Sequence, residues 1–165
     1  MITEILFTSV KAFPHWLAVI LLSALPVTES RLTIPVAILS WHMGPTMTYT
    51  LAMLGNALPI APIFFGFVHV RNWCEKHAQW VVRWLDKVVD HAHHKLGKHF
   101  EQYGLTALFL LSAIPLPGGG VWTAVFAAVA LKISWKNAAP ALFGGMLVMG
   151  FIVLAVTLAG GRIAG

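Results

Sequence analysis

The sequence predicts an all-α integral membrane protein of inverted structural repeats. Each repeat is a re-entrant helical hairpin plus one transmembrane helix, and an amphipathic interfacial helix joins the two. Three observations carry that expectation. The first is composition: 58% of the 165 residues are hydrophobic, 10% are charged, and the mean hydropathy is +0.79, whereas soluble domains are roughly 25% charged. The second is four uncharged stretches, Ala12 to Thr28, Leu32 to Val70, Gln102 to Leu131 and Asn137 to Gly161, against a requirement of about 20 apolar residues to span a bilayer. The third is an internal repeat. A shift of 89 positions aligns Leu21 to Ile63 with Leu110 to Ile152, with identities that include Leu-Leu-Ser-Ala, Pro26/Pro115 and Gly55/Gly144.

This composition excludes a disordered chain, a disulfide scaffold and a nucleic-acid module, the last despite a net charge of +5. The single cysteine, Cys74, has no internal partner. Lys11 followed by Trp16 to Ala24 has the form of a signal sequence. Because Leu21 to Pro26 has a twin at Leu110 to Pro115, the segment is expected to be retained.

Each half begins with an apolar piece of about 15 residues that ends at a proline, too short to cross comfortably. Pro26, Pro35, Pro115 and Pro117 interrupt a continuous helix by removing donors. Broken backbone at membrane depth must be buried in protein or line a wet cavity, so residues 13–44 and 104–133 are expected to be re-entrant hairpins. The long spans then run from about Pro45 to Val70 and from about Ser134 to Gly160. The whole chain, 1–165, is one membrane domain: a first repeat over 13–70, an amphipathic segment over 71–103, and a second repeat over 104–161. A hairpin returns to its own side and a span crosses, so each half makes an odd number of crossings and the repeats are inverted.

The segment Arg71 to Glu101 holds six of the basic residues and four of the acids. Its side is expected to be cytoplasmic, and both termini fall on the outer face. Trp73, His77, Trp80, Trp84 and Leu85 recur at helical spacing, which predicts an amphipathic helix along the headgroups. Trp16, Trp41, Trp122 and Trp135 fall near hairpin arms or their ends, where aromatic belts form.

Candidate chemistry concentrates where charge intrudes on the apolar stretches. Glu29 and Arg31, in Thr28-Glu29-Ser30-Arg31, occupy the expected tip of the first hairpin, and a charge at bilayer depth persists only when paired, hydrated or useful. Glu29 reads as a protonatable carboxylate and Arg31 as an anion-binding guanidinium. An ion pair that merely tolerates its position, or a short surface loop, fits the same residues. The second tip carries Gly118-Gly119-Gly120-Val121-Trp122-Thr123 and no charge. Its amides can turn toward an anion at a helix start, or the glycines can simply serve a tight turn. If the halves pack about a pseudo-two-fold axis, the two tips meet near the midplane. Asn56, after Gly55, is positioned to hydrogen-bond a tip, while Gly55, Gly144 and Gly145 suit close helix packing. His91, His93, His94 and His99 lack a completing ligand set, so no metal and no cofactor is expected. No hydrolase or nucleotide motif is present, and the chain is not expected to be an enzyme.

Glu29-Ser30-Arg31-Leu32-Thr33-Ile34-Pro35 resembles the acidic-x-Arg-x-x-Ile-Pro signature of the small multidrug export protein family of bacterial and archaeal membranes. Ile114-Pro115-Leu116-Pro117-Gly118-Gly119-Gly120-Val121-Trp122-Thr123 resembles its second signature. The resemblance covers nearly the whole chain and implies a small transporter-like protein of the cytoplasmic membrane. The layout is more remotely similar to DedA-type proteins, which are linked to flipping polyprenyl-phosphate lipids. Those place an acid in one hairpin and an arginine in the other, whereas here both charges lie in the first.

The expected function is proton-coupled translocation of an anionic lipid head group or other amphipathic anion. The expected partners are membrane lipids, protons and a second copy of the chain in a homodimer, with no nucleic acid. Two alternatives compete: proton-coupled export of cationic drug-like compounds, and a non-transporting membrane scaffold. Arg31 beside the only carboxylate of the apolar stretches favours the anion.

Overall fold

The computed structural model describes residues 13–77, 100–115 and 120–164, and within them every regular element is helical. In chain order these are α1 (His15–Ala24), α2 (Glu29–Leu39), α3 (Pro45–Ala57), α4 (Ile60–His77), α5 (Phe100–Ala113), α6 (Val121–Ala130) and α7 (Trp135–Ala164). The expected amphipathic helix beyond His77, with Trp80, Trp84 and the four clustered histidines, lies outside the described residues, as do Lys11, Pro117, Gly118 and Gly119.

The helices group into two compact units. One comprises residues 13–59 and 146–164, the other the described residues between 60 and 145. Each unit therefore takes a short helical pair, the first part of the long helix that follows it, and the last part of the other half's long helix.

Prolines explain why both pairs turn where they do. Pro26 cannot donate to the carbonyl of Leu22, nor Pro115 to that of Leu111, four residues back in each case. Both carbonyls find other donors. The Thr28 hydroxyl and, at 3.3 Å, the Leu25 amide donate to Leu22. The Gly120 amide donates to Leu111 at 3.1 Å. The repeat thus extends to the backbone, with one orphaned carbonyl per half recaptured by the turn.

Further correspondences follow along each half. A residue with positive φ stands at the start of the second helix of each pair: Glu29, the first residue of α2, at 42°, and Gly120, the N-cap of α6, at 111°. Each pair then ends on a left-handed residue, His42 at 53° and Lys132 at 56°. Behind these, Met43 donates to Ala37 at 3.0 Å and Ile133 to Ala128 at 2.9 Å, the wrapped-back bonding of a helix C-terminus. Glycine usually fills that place; here His42 and Lys132 hold it with a side chain.

Small residues bring the helices together, as is usual where lipid removes the hydrophobic drive for helix association. In the first unit α1, α2 and α3 pack against one another through fully buried Ala18, Ala37 and Ala52. In the second, α4 and α5 both pack on α6, which buries Ala124 and Ala128. A Cβ on Gly55 would lie 2.3 Å from the Ile20 carbonyl oxygen, and one on Gly145 2.4 Å from that of Phe109. Ile20 and Phe109 are again related by the 89-residue shift. The sequence alignment pairs Gly55 with Gly144; the structure makes Gly145, one residue on, the glycine that meets the backbone.

Two helical runs, Pro45–Phe67 and Trp135–Gly161, are long and apolar enough to cross a membrane. Their outward residues include Leu54, Phe65, Phe151 and Val156, all exposed, an apolar exterior suited to lipid. The first run is one candidate span, as the sequence suggested, with a turn inside it. A turn at 58–59 divides α3 from α4, because Pro59 and Pro62 remove the helical donors to the carbonyls of Gly55 and Leu58. Trp73 and His77, expected to open the amphipathic segment, instead belong to α4.

Close backbone approach yields a prediction. Gly55→Ala and Gly145→Ala should each lower stability by about 1–3 kcal/mol or more through overpacking against backbone that cannot yield. Gly66→Ala, with nothing within 4 Å of its added Cβ, should be neutral. Thermal melts in detergent that failed to separate the two classes would contradict this packing.

Candidate functional site

Three helices of the first unit, α2, α3 and α7, supply a buried polar cluster in otherwise apolar surroundings. Glu29 opens α2 with its side chain 1% exposed, and its Oε2 lies 2.9 Å from Nη2 of Arg31, whose side chain is 18% exposed. The carboxylate stands in the first turn, where the unsatisfied amides of a helix N-terminus favour negative charge. Arg31 supplies the opposite charge from two residues on. Burial of the ion pair costs desolvation that only good geometry and further hydrogen bonds offset.

Ser30, fully buried between them, connects this turn to the long helices. Its hydroxyl accepts from Asn56 Nδ2 at 3.2 Å and donates toward Met149 Sδ at 3.6 Å. Asn56 is fully buried, and its Oδ1 has no hydrogen-bond partner. The same holds for Ser23 Oγ on α1 and Thr48 Oγ1 on α3. A buried acceptor or hydroxyl without a partner costs about 1–3 kcal/mol, so this interior holds hydrogen-bonding capacity that its own side chains do not use.

Backbone strain coincides with the charge. Glu29 has φ 42°, a left-handed conformation that costs a non-glycine residue about 1–3 kcal/mol and is concentrated at functional positions. The turn is held by Thr33 Oγ1 donating to the Glu29 carbonyl at 2.7 Å and by the Thr28 hydroxyl on Leu22. Thr28, Glu29, Arg31 and Asn56, singled out in the sequence, thus lie in one unit, with Asn56 joined to the charged turn through Ser30.

Of the other sequence candidates, Gly120 and Thr123 lie in the second unit, and Gly118 and Gly119 lie outside the described residues. Gly120 caps α6, and its amide is committed to the Leu111 carbonyl. Thr123 stands half-buried in the first turn of α6, beside Trp122, whose buried Nε1 has no hydrogen-bond partner. Among the described residues no three His, Cys, Asp or Glu side chains gather closely enough to hold a metal ion. Two members of the cluster escaped the sequence reading. Ser30 was visible between the charges but had no assigned role, and Met149 lies in an apolar run that gives no signal.

The ion pair sets an expected order of stabilities. Arg31→Gln should destabilise the protein by about 3–5 kcal/mol, because it takes the guanidinium from a carboxylate that is only 1% exposed. Glu29→Gln should cost clearly less, since the amide keeps an acceptor for Arg31 and the guanidinium retains some solvent. Equal losses in thermal or denaturant titrations would contradict the pairing.

Comparison with known proteins places the chain. Residues 29–152, well over half of its length, match the family described as "Putative small multi-drug export protein". The match begins at Glu29 and takes in both helical pairs' second arms and most of α7. No curated protein and no solved structure matches. With two helical runs apolar enough to span a bilayer, this is a membrane protein, and it belongs to the small multi-drug export protein family.

Proposed function

We propose that the protein is a small proton-coupled transporter that moves an amphipathic anion, with a lipid phosphate head group as the leading substrate class, across the cytoplasmic membrane of a bacterium or archaeon. Arg31 grips the anion and Glu29 carries the proton. The observation that carries this reading is the buried Glu29–Arg31 pair on strained backbone at the turn of a broken helix. A purely structural pair would not need the strain, nor the buried acceptor left open on Asn56 beside it.

The architecture supports transport. α1, α2 and α6 have 10, 11 and 10 residues, or roughly 15 Å each, about half of a hydrocarbon core. We take the pairs as re-entrant hairpins and the repeats as inverted, by the crossing parity. The basic middle segment then faces the cytoplasm and both termini face outward. A homodimer would thicken the wall around a cavity that so few helices enclose.

A second reading draws on the family's description. A drug-like cation held by Glu29 would be displaced by a proton, and export would follow. Arg31 at 2.9 Å from that carboxylate opposes it, because a cation must approach against the guanidinium.

The test is transbilayer movement of a fluorescent polyprenyl phosphate in proteoliposomes, read with a membrane-impermeant quencher. Wild type should move the probe well above empty liposomes, and Arg31→Ala should lose at least tenfold, the effect of about 1.4 kcal/mol in anion binding. Movement at the level of empty liposomes, with cationic dye export intact, would overturn the anion reading in favour of the second.

A further inference from the structure

We propose that α3 carries a buried polar stripe that binds water, and that this water passes protons to the turn of Glu29. The proposal rests on the reading of that turn as the transport site and adds the route by which the proton arrives.

The stripe is Thr48, Ala52 and Asn56, four residues apart on one face of α3 and all fully buried. Neither Thr48 Oγ1 nor Asn56 Oδ1 has a hydrogen-bond partner, and Ser23 Oγ on α1 has none either. α1 packs on α3, and Ser23 lies one turn from Ile20, whose carbonyl Gly55 abuts. These groups do not serve one another, because Thr48 and Asn56 are roughly 12 Å apart along the helix axis. Nor do they share one ion, whose oxygen ligands would stand within about 2.6 Å of it. Asn56 Oδ1 only accepts, whereas each hydroxyl donates and accepts. Water meets both needs, and buried water is held by such otherwise unsatisfied groups. A file of about three molecules at hydrogen-bond spacing covers the distance.

The stripe joins the surface to the charged turn. Thr48 stands in the first turn of α3, and the residues that lead into it, Gly44, Pro45, Thr46 and Met47, are all exposed. At the other end Asn56 Nδ2 donates to Ser30, the residue between Glu29 and Arg31. A water file conducts by exchange: each oxygen takes up one proton and releases another to the next. The last proton adds to the carboxylate, and no other bond is made or lost.

The duplicated scaffold supplies the contrast. Under the shift that relates Gly55 to Gly145, the same positions of α7 are Ala138, Leu142 and Met146, all buried and all apolar. Where Leu142 presents a branched side chain, Ala52 presents a methyl. Ser112, the counterpart of Ser23, donates to the Leu108 carbonyl at 2.8 Å, whereas the Ser23 hydroxyl has no partner. The fold therefore packs without polar groups at these places on α7, and the half that holds the carboxylate is the half that has them.

The experiment uses the full chain in lipid. Brief X-ray exposure turns bound water into hydroxyl radicals, and mass spectrometry reads the side chains they oxidise. Met149, fully buried, lies against Ser30 at the inner end of the stripe, and Met146, 3% exposed, stands on the apolar positions of α7. Met149 should be oxidised at least tenfold faster than Met146. In proteoliposomes with a trapped pH dye and a gradient of fluorescent polyprenyl phosphate, Thr48→Val should slow proton uptake at least tenfold. Thr48→Ser, which keeps the hydroxyl, should restore it, a rescue that a merely structural role for Thr48 would not predict. Equally slow oxidation of the two methionines would overturn the water site while leaving the transport reading standing. Met149 oxidised but proton uptake unchanged in Thr48→Val would overturn the route. No anion movement by wild type would overturn the transport reading, and the role given to the water with it, whatever the oxidation pattern.

Discussion

A carbonyl deprived of its helical donor must find another when water is scarce, and the protein meets that demand at Leu22 and Leu111. Pro26 and Pro115 create the vacancy four residues on, and the turn that follows fills it, once with the Thr28 hydroxyl and once with the Gly120 amide. This pins each turn against the end of the preceding helix. The turn in turn fixes where the second arm starts, and in the first pair that start is Glu29. The charged site is therefore a by-product of backbone accounting: the residue that must restart the helix after the proline is the one with the carboxylate.

Packing then decides what the restarted helix can face. Gly55 lets α3 lie directly on the Ile20 backbone, and the next residue, Asn56, reaches Ser30. Gly145 repeats the approach to Phe109, and in the sequence alignment that glycine stands where Asn56 would have its counterpart. The two halves thus share scaffolding and differ in chemistry. One carries acid, guanidinium and amide; the other carries glycines.

Much of this was legible in the sequence because it depends on residues with strong local consequences. Prolines, glycines and isolated charges in apolar runs set the helix breaks, the close contacts and the candidate site, and Gly55-Asn56 pointed to the first turn. Other features had no such marker. The break at 58–59 was hidden by an apolar run that read as a single span, although Pro59 and Pro62 stand in it. The left-handed Glu29, His42 and Lys132 are not glycines, so nothing in their identity announced the backbone. Met149, which completes the Ser30 bridge, is one apolar residue among many. Which donor recaptures a carbonyl is a matter of backbone geometry that side-chain identity does not encode.

The claim on which the account turns is the proposed one, that Arg31 grips the anion and Glu29 carries the proton. Infrared difference spectroscopy of the protein in lipid, recorded on addition of the anionic probe, reads this directly. The account predicts a protonated-carboxyl band that appears with the anion in wild type and is absent in Glu29→Gln. Anion binding with no new carboxyl band, and the Glu29 carboxylate unchanged, would contradict it.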